Sequence, residues 1–171
     1  TLTSAENLLN NMNDLLIWSK GQMVNFKPKF QEVNPGIVFK DIAAFFVNYS
    51  TISLRFENPD KLTLKTDEDY LKTIMRNLTS NAIKAVEATH NPEIVWRLYT
   101  ENNGVVLSIS DNGKGADENQ FKPLFNEDLL VGINTGLGLH LVRDIAKILQ
   151  VKITVSTHVE KGTTLKIIFP S

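Results

Sequence analysis

Two pairs of short stretches with alternating polarity, each pair joined by a tight polar turn, constrain the fold of this 171-residue chain more than any other feature. EIVWRLYT leads through ENNG into VVLSIS, and VKITVST leads through HVEKG into TTLKIIF. Alternation of apolar and polar residues indicates strands, and short turns rich in Asn and Gly join such strands into hairpins. The sequence therefore predicts two β-hairpins.

Three stretches with helical periodicity accompany these strands: residues 35–50, opened by Pro35, residues 66–88 and residues 136–150. Thr66 followed by Asp69 predicts a capping box at the start of the second helix. The apolar residues that share one line on that helix predict its core stripe. They are Leu71, Ile74, Leu78, Ala82 and Ala85.

Shorter strands are predicted at residues 28–33 and on either side of the turn Asn58-Pro59-Asp60, as ISLRFE and LTLKT. Residues 111–135 are rich in loop-forming residues. Because strands mostly joined by hairpins are interspersed with helices, we expect an α+β fold. It would be a two-layer α/β sandwich with a helix layer on a mixed, mostly antiparallel sheet, preceded by an N-terminal helix.

That N-terminal helix is predicted from Thr3 with Glu6 as a capping box and from apolar residues at heptad-like spacing. They are Leu8, Met12, Leu15, Leu16 and Met23. Such a stripe suits either docking onto a partner helix or packing on its own domain, and the pattern leaves both open. The predicted boundary places an appendage at residues 1–26 and one domain at residues 27–171.

Composition narrows the function classes. A net charge of −1 without a basic run argues against nucleic acid as the main partner, and the absence of cysteine excludes disulfides. No apolar run approaches the roughly 20 residues of a membrane span, so we expect no membrane contact by this segment. The chain starts without Met and within a helical pattern, so we expect it to be a fragment of a longer protein. A membrane anchor could lie in the missing part of that protein.

The polar residues Asn77, Asn81 and Lys84 lie on one line of the long helix, to one side of the core stripe, and Tyr70 is expected on the same flank. Two asparagines in register with a lysine one turn further on indicate either a solvated flank or a ligand-binding edge. Spacing alone does not decide between them.

A second group follows a predicted buried strand, in SISDNGKGAD. Asp111 at the strand end, with Gly113 and Gly115 behind it, would let backbone approach a flat ligand while the carboxylate accepts a hydrogen bond from it. A tight turn with a helix-capping Asp is the alternative.

A third group, NTGLGLHLV, places Gly136 and Gly138 where a helix begins. Free N–H groups at a helix start bind phosphate readily, although a glycine-rich helix entrance without a ligand has the same pattern. A dinucleotide fingerprint would need glycine at Leu141, and no P-loop is present. The scattered His90, His140 and His158 make a zinc site unlikely on spacing.

In this order the three groups resemble the Bergerat-fold ATPases, which include histidine kinases, type II topoisomerases, mismatch-repair ATPases and heat-shock chaperones. NLTSNAIKA is similar to their N box, DNGKG to the G1 box and TGLGL to the G2 box. FKPLF resembles the F box of histidine kinases, and EKGTT resembles the final glycine-threonine motif. The resemblance covers about residues 27–171.

The resemblance implies roles in binding Mg-ATP. Asn81 would give its amide oxygen to Mg²⁺, Asn77 would hold a phosphate or metal-bound water, and Lys84 would reach a distal phosphate. Asn77 and Lys84 are the predicted catalytic residues.

For the base, Asp111 would accept from the exocyclic amine of adenine, and Gly113 and Gly115 would let the ring approach. Residues 117–135 would form a lid. The further nucleotide-binding residues that the resemblance implies are Lys122, Thr135, Gly136, Leu137, Gly138, Leu139 and Thr163.

The residue at position 77 separates branches of the superfamily. The hydrolysing ATPases and the anti-sigma serine kinases carry Glu there, whereas histidine kinases carry Asn because their nucleophile is a histidine on another domain. Asn cannot accept a proton near neutral pH, so efficient hydrolysis is not expected. The resemblance thus identifies the ATP-binding catalytic domain of a two-component sensor histidine kinase.

The opening helix is similar to the second helix of the dimerisation and phosphoacceptor hairpin, and IWSKGQM resembles its end in sensor kinases of Bacteroides type. The implied partners are that hairpin, a response-regulator receiver domain and a second copy of a homodimeric parent, in the cytoplasm. No His precedes His90, so this chain alone is not expected to phosphorylate itself. The alternatives are a nucleotide-binding module without kinase activity and a Bergerat-fold ATPase or serine kinase.

Several positions depart from the family pattern. Asn134 stands where G2 boxes usually begin with Gly, and Asn126 stands where an Arg commonly follows the F box. Ala85 replaces a frequent aromatic, and Glu160 replaces the first Gly of the final motif. Lys122 is the candidate substitute for the missing Arg. These departures bear on lid contacts and turnover more than on nucleotide binding.

Overall fold

The computed structural model describes residue 12, residues 27–125 and residues 138–170. Within these residues every strand predicted from the sequence is present. The strands are β1 (Gln31–Val33), β2 (Ser53–Glu57), β3 (Leu64–Thr66), β4 (Glu93–Glu101), β5 (Gly104–Asp111), β6 (Lys152–His158) and β7 (Gly162–Ile168).

The predicted helices are also present, with shorter ends than the periodicity indicated. The helices are α1 (Pro35–Phe45), α2 (Glu68–Ala85), the short α3 (Lys122–Phe125), which follows a 3-10 turn (Glu118–Phe121), and α4 (Gly138–Leu149). No helix among the described residues is long and apolar enough to cross a membrane.

The sheet order confirms the α+β prediction and adds a pairing that the sequence did not indicate. Five strands pair in the order β2-β4-β5-β7-β6, and the short β1 and β3 form a separate antiparallel pair. Both predicted hairpins are correct, and Asn102 and Asn103 adopt the positive φ angles that a tight hairpin turn requires. The strands flanking Asn58-Pro59-Asp60 join different sheets, because β2 pairs in parallel with β4.

The inner face of the sheet packs on α2 and α4 and forms one apolar core. Trp96 is fully buried there, and its Nε1–H donates to Oγ1 of Thr79, which donates to the carbonyl of Met75. Because Thr79 lies between Asn77 and Asn81, this pair of bonds fixes the rotation of α2 against β4.

Three sequence expectations about α2 need correction. The cap is Asp67 instead of Thr66: its carboxylate accepts from the N–H of Tyr70 and from that of Lys29, which also ties the incoming chain to the helix start. Thr66 is buried in β3 instead. Ala85 is exposed, whereas Tyr70, expected on the flank, is buried.

The predicted lid divides into two parts. Residues 118–125 form helical turns whose Phe121 and Leu124 belong to the core, because these apolar side chains find space against α4. The loop-rich prediction was therefore wrong for this half, and residues 126–135 lie outside the described residues. The N-terminal helix lies outside them as well, except for Met12, which is helical and 53% exposed.

Candidate functional site

A row of polar side chains crosses the inner face of the sheet at one end. Asp111 of β5 pairs with Thr163 of β7, which pairs with Thr157 of β6. Paired residues point to the same face, so the three side chains lie side by side toward the helix layer. The next row on that face is apolar, with Ile109, Leu165 and Val155. The polar row is thus the point at which the apolar core gives way to polar side chains.

Asp111 is held in place by backbone donors. Its Oδ1 accepts from the N–H of Gly113 at 2.9 Å, and the N–H of Thr163 also donates to the carboxylate. Burial raises the pKa of Asp111, and the two N–H donors only partly oppose that shift. A half-buried carboxylate fixed by backbone donors is suited to accept a hydrogen bond from a ligand.

The turn after Asp111 packs closely against neighbouring backbone. A Cβ at Gly113 would lie 2.5 Å from the carbonyl oxygen of Ala85, and one at Gly115 would overlap that of His158. Gly115 also has a φ of +79°, which favours glycine. The two glycines thus let the DNGKG turn lie between α2 and the β6–β7 hairpin.

The β6–β7 turn completes this arrangement from the other side. Gly162 has a φ of +95°, and a Cβ there would overlap the carbonyl oxygen of Asp111. Glu160, which departs from the family glycine, adopts a φ of +64°, and its N–H donates to the carbonyl of Lys114 at 2.8 Å. The backbone conformation that a glycine would allow is therefore kept despite the substitution.

Asn112 is a site residue that the sequence did not single out. Its Oδ1 accepts from the N–H of Glu93 at 2.8 Å, and its Nδ2 donates to the carbonyl of Asn91 at 2.9 Å. These bonds join the end of β5 to the start of β4. The motif DNG offered a signal, because Asn side chains often bond to backbone near turns, but its distant partners were not readable.

The polar line on α2 is confirmed as the edge of the core. Asn77 and Asn81 are half-buried and Lys84 is exposed. Nδ2 of Asn77 donates to the carbonyl of Thr73 at 2.8 Å, which leaves its Oδ1 directed elsewhere. Within residues 27–125 and 138–170, no hydrogen bond or ion pair occupies the side chains of Asn81 and Lys84.

The start of α4 meets α2 at this polar line. A Cβ at Gly138 would lie 2.8 Å from Oδ1 of Asn77, so the glycine and the asparagine are in direct contact. Leu139 is buried in the core, which makes it a packing residue. The structure therefore brings the predicted N-box and G2-box residues together.

Four other predicted binding residues are not placed at the site. Lys122 is exposed at the start of α3, and no contact connects it with the polar line within the described residues. Thr135, Gly136 and Leu137 lie outside the described residues, so their roles stay predictions.

His140, two residues into α4, is buried without a hydrogen bond at either ring nitrogen. Burial is the main cause that lowers its pKa, with the nearby Arg143 acting in the same direction and Asp144 opposing it. The described residues contain no group of three His, Cys or acidic side chains that could hold a metal.

A separate cleft of about 490 Å³ lies between the start of α1 and the loop after β2. Its lining includes Asn34, Asn58 and Lys61, and none of the residues that the sequence predicted for the site. The positions of the predicted site residues therefore favour the polar row and the polar edge of α2, and not this cleft, as the functional site.

The family is shown by comparison with known proteins. A family model described as "Histidine kinase-, DNA gyrase B-, and HSP90-like ATPase" matches residues 66–171, which is more than half of the chain. The matched stretch contains α2, the polar row and α4. The chain therefore belongs to this ATPase family.

Its curated relatives are sensor kinases. The autoinducer 2 sensor kinase/phosphatase LuxQ of Vibrio vulnificus is 30% identical over 187 residues, covering 98% of this chain and 21% of the relative. The sensor protein CiaH of Streptococcus pneumoniae is 31% identical over 154 residues, covering 82% of this chain and 33% of the relative. The chain thus has the type of ATPase domain that sensor histidine kinases contain. It spans a third or less of the length of these relatives.

Solved structures agree on the fold. The catalytic domain of the histidine kinase ThkA matches with a TM-score of 0.67 at 23% identity, over 82% of this chain and 95% of that one. Full-length ShkA in complex with AMPPNP matches with a TM-score of 0.75 at 20% identity, over 98% of this chain and 36% of that one. These matches confirm the predicted Bergerat fold.

Proposed function

We propose that this domain binds Mg-ATP and donates the terminal phosphoryl group to a histidine on the dimerisation hairpin of a sensor histidine kinase. The observation that carries the proposal is the half-buried Asp111 carboxylate, fixed by two backbone donors beside the polar edge of α2. Membership of the ATPase family supports the nucleotide as the ligand. ADP would be the product that leaves the site.

The base would bind at the polar row. Asp111 would accept from the exocyclic amine of adenine, and Thr163 lies next to it on the same face. The close packing of Gly113 and Gly115 against the backbone of Ala85 and His158 would hold this turn in place beside Asp111. This end of the site binds and orients the nucleotide and takes no part in bond breaking.

The phosphates would bind at the start of α4 and the polar line of α2. Asn81 offers an amide oxygen, and Mg²⁺ prefers few protein oxygens combined with phosphate oxygens and water, so the residues present fit this metal. When bound, Mg²⁺ would neutralise charge on the phosphates. Lys84 would contact a distal phosphate, and Asn77 would hold a phosphate or water at the Gly138 contact.

Asn77 favours phosphoryl transfer to another domain over hydrolysis. In the proposed step the imidazole nitrogen forms a bond to the terminal phosphorus while the bond to the ADP oxygen breaks, and the ring proton leaves to solvent. The side chain of Asn77 itself cannot activate water as a base, because an amide cannot accept a proton near neutral pH. Positioning and charge neutralisation therefore supply the catalysis.

The other partners follow from the relatives. We propose that the parent is a homodimer, that the hairpin includes residues 1–26, and that phosphate passes on to an aspartate of a response-regulator receiver domain. The parent would keep this domain in the cytoplasm.

The decisive test joins this chain to the hairpin of its parent, with the first helix restored, and adds Mg-ATP labelled at the terminal phosphate. Acid-labile, base-stable label on the hairpin histidine is expected, and the chain of 171 residues alone should stay unlabelled. Binding without transfer would favour the module without kinase activity. Steady release of phosphate would favour an ATPase.

The base site is tested separately with Asp111→Asn. We expect calorimetry to show loss of adenine nucleotide binding, because the amide presents a donor where the carboxylate has only acceptors. Asp60→Asn, in the exposed turn after β2, is the matched control and should bind as the unchanged protein does. Unchanged affinity of Asp111→Asn would refute the assignment of the base site.

A further inference from the structure

The dipeptide Asn-Gly occurs twice in the sequence, at Asn103-Gly104 and at Asn112-Gly113. The first pair lies at the tight turn between β4 and β5, and the second follows the end of β5 directly. Asparagine before glycine is prone to a reaction with its own backbone, because glycine has no Cβ to obstruct the approach of the side chain. The two pairs share this chemistry and differ only in their surroundings.

The reaction is deamidation. The backbone nitrogen of the glycine attacks Cγ of the asparagine, a bond from nitrogen to Cγ forms, and the bond from Cγ to Nδ2 breaks. The proton of the backbone N–H leaves with the amide group as ammonia. Water then opens the cyclic imide to aspartate or isoaspartate, so the product carries one more negative charge. The reaction needs a side chain that can turn onto the backbone and a glycine N–H that can lose its proton.

Asn103 meets the first condition and is close to meeting the second. It is exposed, and its side chain makes no hydrogen bond to any of residues 27–125 and 138–170. Gly104 is the register partner of Glu101, and this is the last pair of the ladder before the turn. Because the ends of a ladder fray at little cost, opening one pair is enough to free the N–H of Gly104.

Asn112 is exposed as well, so exposure does not separate the two asparagines. Its Oδ1 accepts from the N–H of Glu93 at 2.8 Å, and its Nδ2 donates to the carbonyl of Asn91 at 2.9 Å. The N–H of Gly113, which would have to attack, donates to Oδ1 of Asp111 at 2.9 Å. Both reacting groups of this pair are therefore engaged at once.

We propose that Asn103 is a site of spontaneous deamidation in the folded protein and that the fold protects Asn112 from the same reaction. Two side-chain hydrogen bonds must break before Asn112 can turn, and none must break at Asn103, so we expect at least about tenfold slower reaction at Asn112. The new charge at Asn103 would lie at the far end of β5 from Asp111, roughly 23 Å away.

One tryptic peptide reports on both asparagines. Trypsin cleaves after Arg97 and after Lys114, and residues 98–114 contain no other Lys or Arg. The folded protein is incubated at mildly alkaline pH in water enriched in heavy oxygen, which marks deamidation that occurs before digestion. Fragmentation of the peptide in a mass spectrometer then gives the modified fraction at each position over time. A second sample is incubated unfolded in urea, and the quantity compared is each folded rate divided by the rate in urea. We expect this quotient to be at least about tenfold larger at Asn103 than at Asn112.

The turn itself offers two controls. Asn102 is exposed in the same turn but is followed by Asn103 instead of glycine, so it should react more slowly than Asn103. Gly104→Ala would place a Cβ 3.6 Å from the carbonyl oxygen of Glu101, an ordinary contact, so this variant should fold. The added Cβ should slow deamidation at Asn103 several-fold and leave the rate at Asn112 unchanged.

Two results would overturn the inference. Equal quotients at the two positions would mean that the hydrogen bonds of Asn112 give no protection. A folded protein in which Asn103 stays unmodified, although it reacts in urea, would mean that the hairpin turn holds the backbone of Gly104 too firmly for attack.

Discussion

The two ends of the candidate site are built differently. At the base end, Gly113, Gly115 and Gly162 face backbone carbonyl groups of other segments. At the phosphate end, Gly138 faces the tip of one side chain, that of Asn77. Backbone that is held by hydrogen bonds to neighbouring strands cannot move away from an added Cβ. A side-chain amide can do so by changing its rotamer.

In the proposed function, this difference would combine a fixed surface for the base with an adjustable surface for the phosphates. The base end is positioned by hydrogen bonds between strands, so its geometry exists before a ligand arrives. The side chains of Asn81 and Lys84, in contrast, are not held by any hydrogen bond or ion pair in the described ranges 27–125 and 138–170. Phosphates that change in number during a reaction need this second kind of surface.

The largest expected effect tests the comparison directly with two Gly→Ala variants. Gly162→Ala would place a Cβ against the carbonyl of Asp111 at a positive φ, so we expect a loss of several kcal/mol of folding free energy, on the order of 3 kcal/mol. Gly138→Ala should cost less than about 1 kcal/mol, because Asn77 can move. Denaturant unfolding measures both, and equal losses would contradict the comparison.

A smaller effect should separate the two ends by ligand. Asn81→Ala is expected to lower ATP affinity about tenfold in the presence of Mg²⁺ and to change it little without Mg²⁺, because only a metal contact is removed. Lys84→Met should weaken ATP and leave adenosine binding unchanged. Titration calorimetry with and without Mg²⁺ distinguishes these results. If Asn81→Ala weakened the binding of adenosine as much as the binding of Mg-ATP, the two ends of the site would not act separately.

The smallest expected effect concerns acid stability of α4. The pKa of His140 is lowered in the folded state, so the unfolded chain binds this proton first as the pH falls. The stability from neutral His140 is present above pH about 6.5 and is lost below it, by at most about 1.4 kcal/mol per pH unit.

His140→Phe removes this titration and should flatten the fall in unfolding free energy as the pH drops below the ordinary histidine pKa of about 6.5. His90→Gln, in an exposed turn, is the matched control and should keep the slope of the unchanged protein. Urea unfolding at several pH values is the measurement. An unchanged slope in His140→Phe would show that the imidazole finds a partner.

Local patterns predicted most of the fold correctly. Both hairpins and the helix α2 depend on neighbours in sequence, through turn residues such as Asn102 and Asn103 and through apolar spacing. The site motifs were selected because Asp111 and Gly138 lie where one element gives way to another, and because Asn77 lies on a polar line beside the core stripe of α2. That they form one site was implied by the family resemblance and stays a prediction.

Contacts between distant segments were not readable. No local pattern encodes strand register or the space between distant elements. Three features depend on them: the parallel pairing of β2 with β4, the packing of Phe121 on α4, and the hydrogen bond between Thr157 and Thr163. The cap of α2 was misplaced by one residue, because Asp67 and Thr66 are both good caps and only the three-dimensional structure shows which side chain meets the N–H of Tyr70.

The polar row also has a consequence for how the domain comes apart. Asp111 belongs to the β4–β5 hairpin, whereas Thr163 and Thr157 belong to the β6–β7 hairpin, so the row bridges the seam where the two hairpins join. A nucleotide bound across that seam would oppose their separation, by about 2.7 kcal/mol at a concentration one hundred times its Kd. Cellular ATP would then hold the two hairpins together. The domain would be most easily unfolded or degraded when nucleotide is scarce.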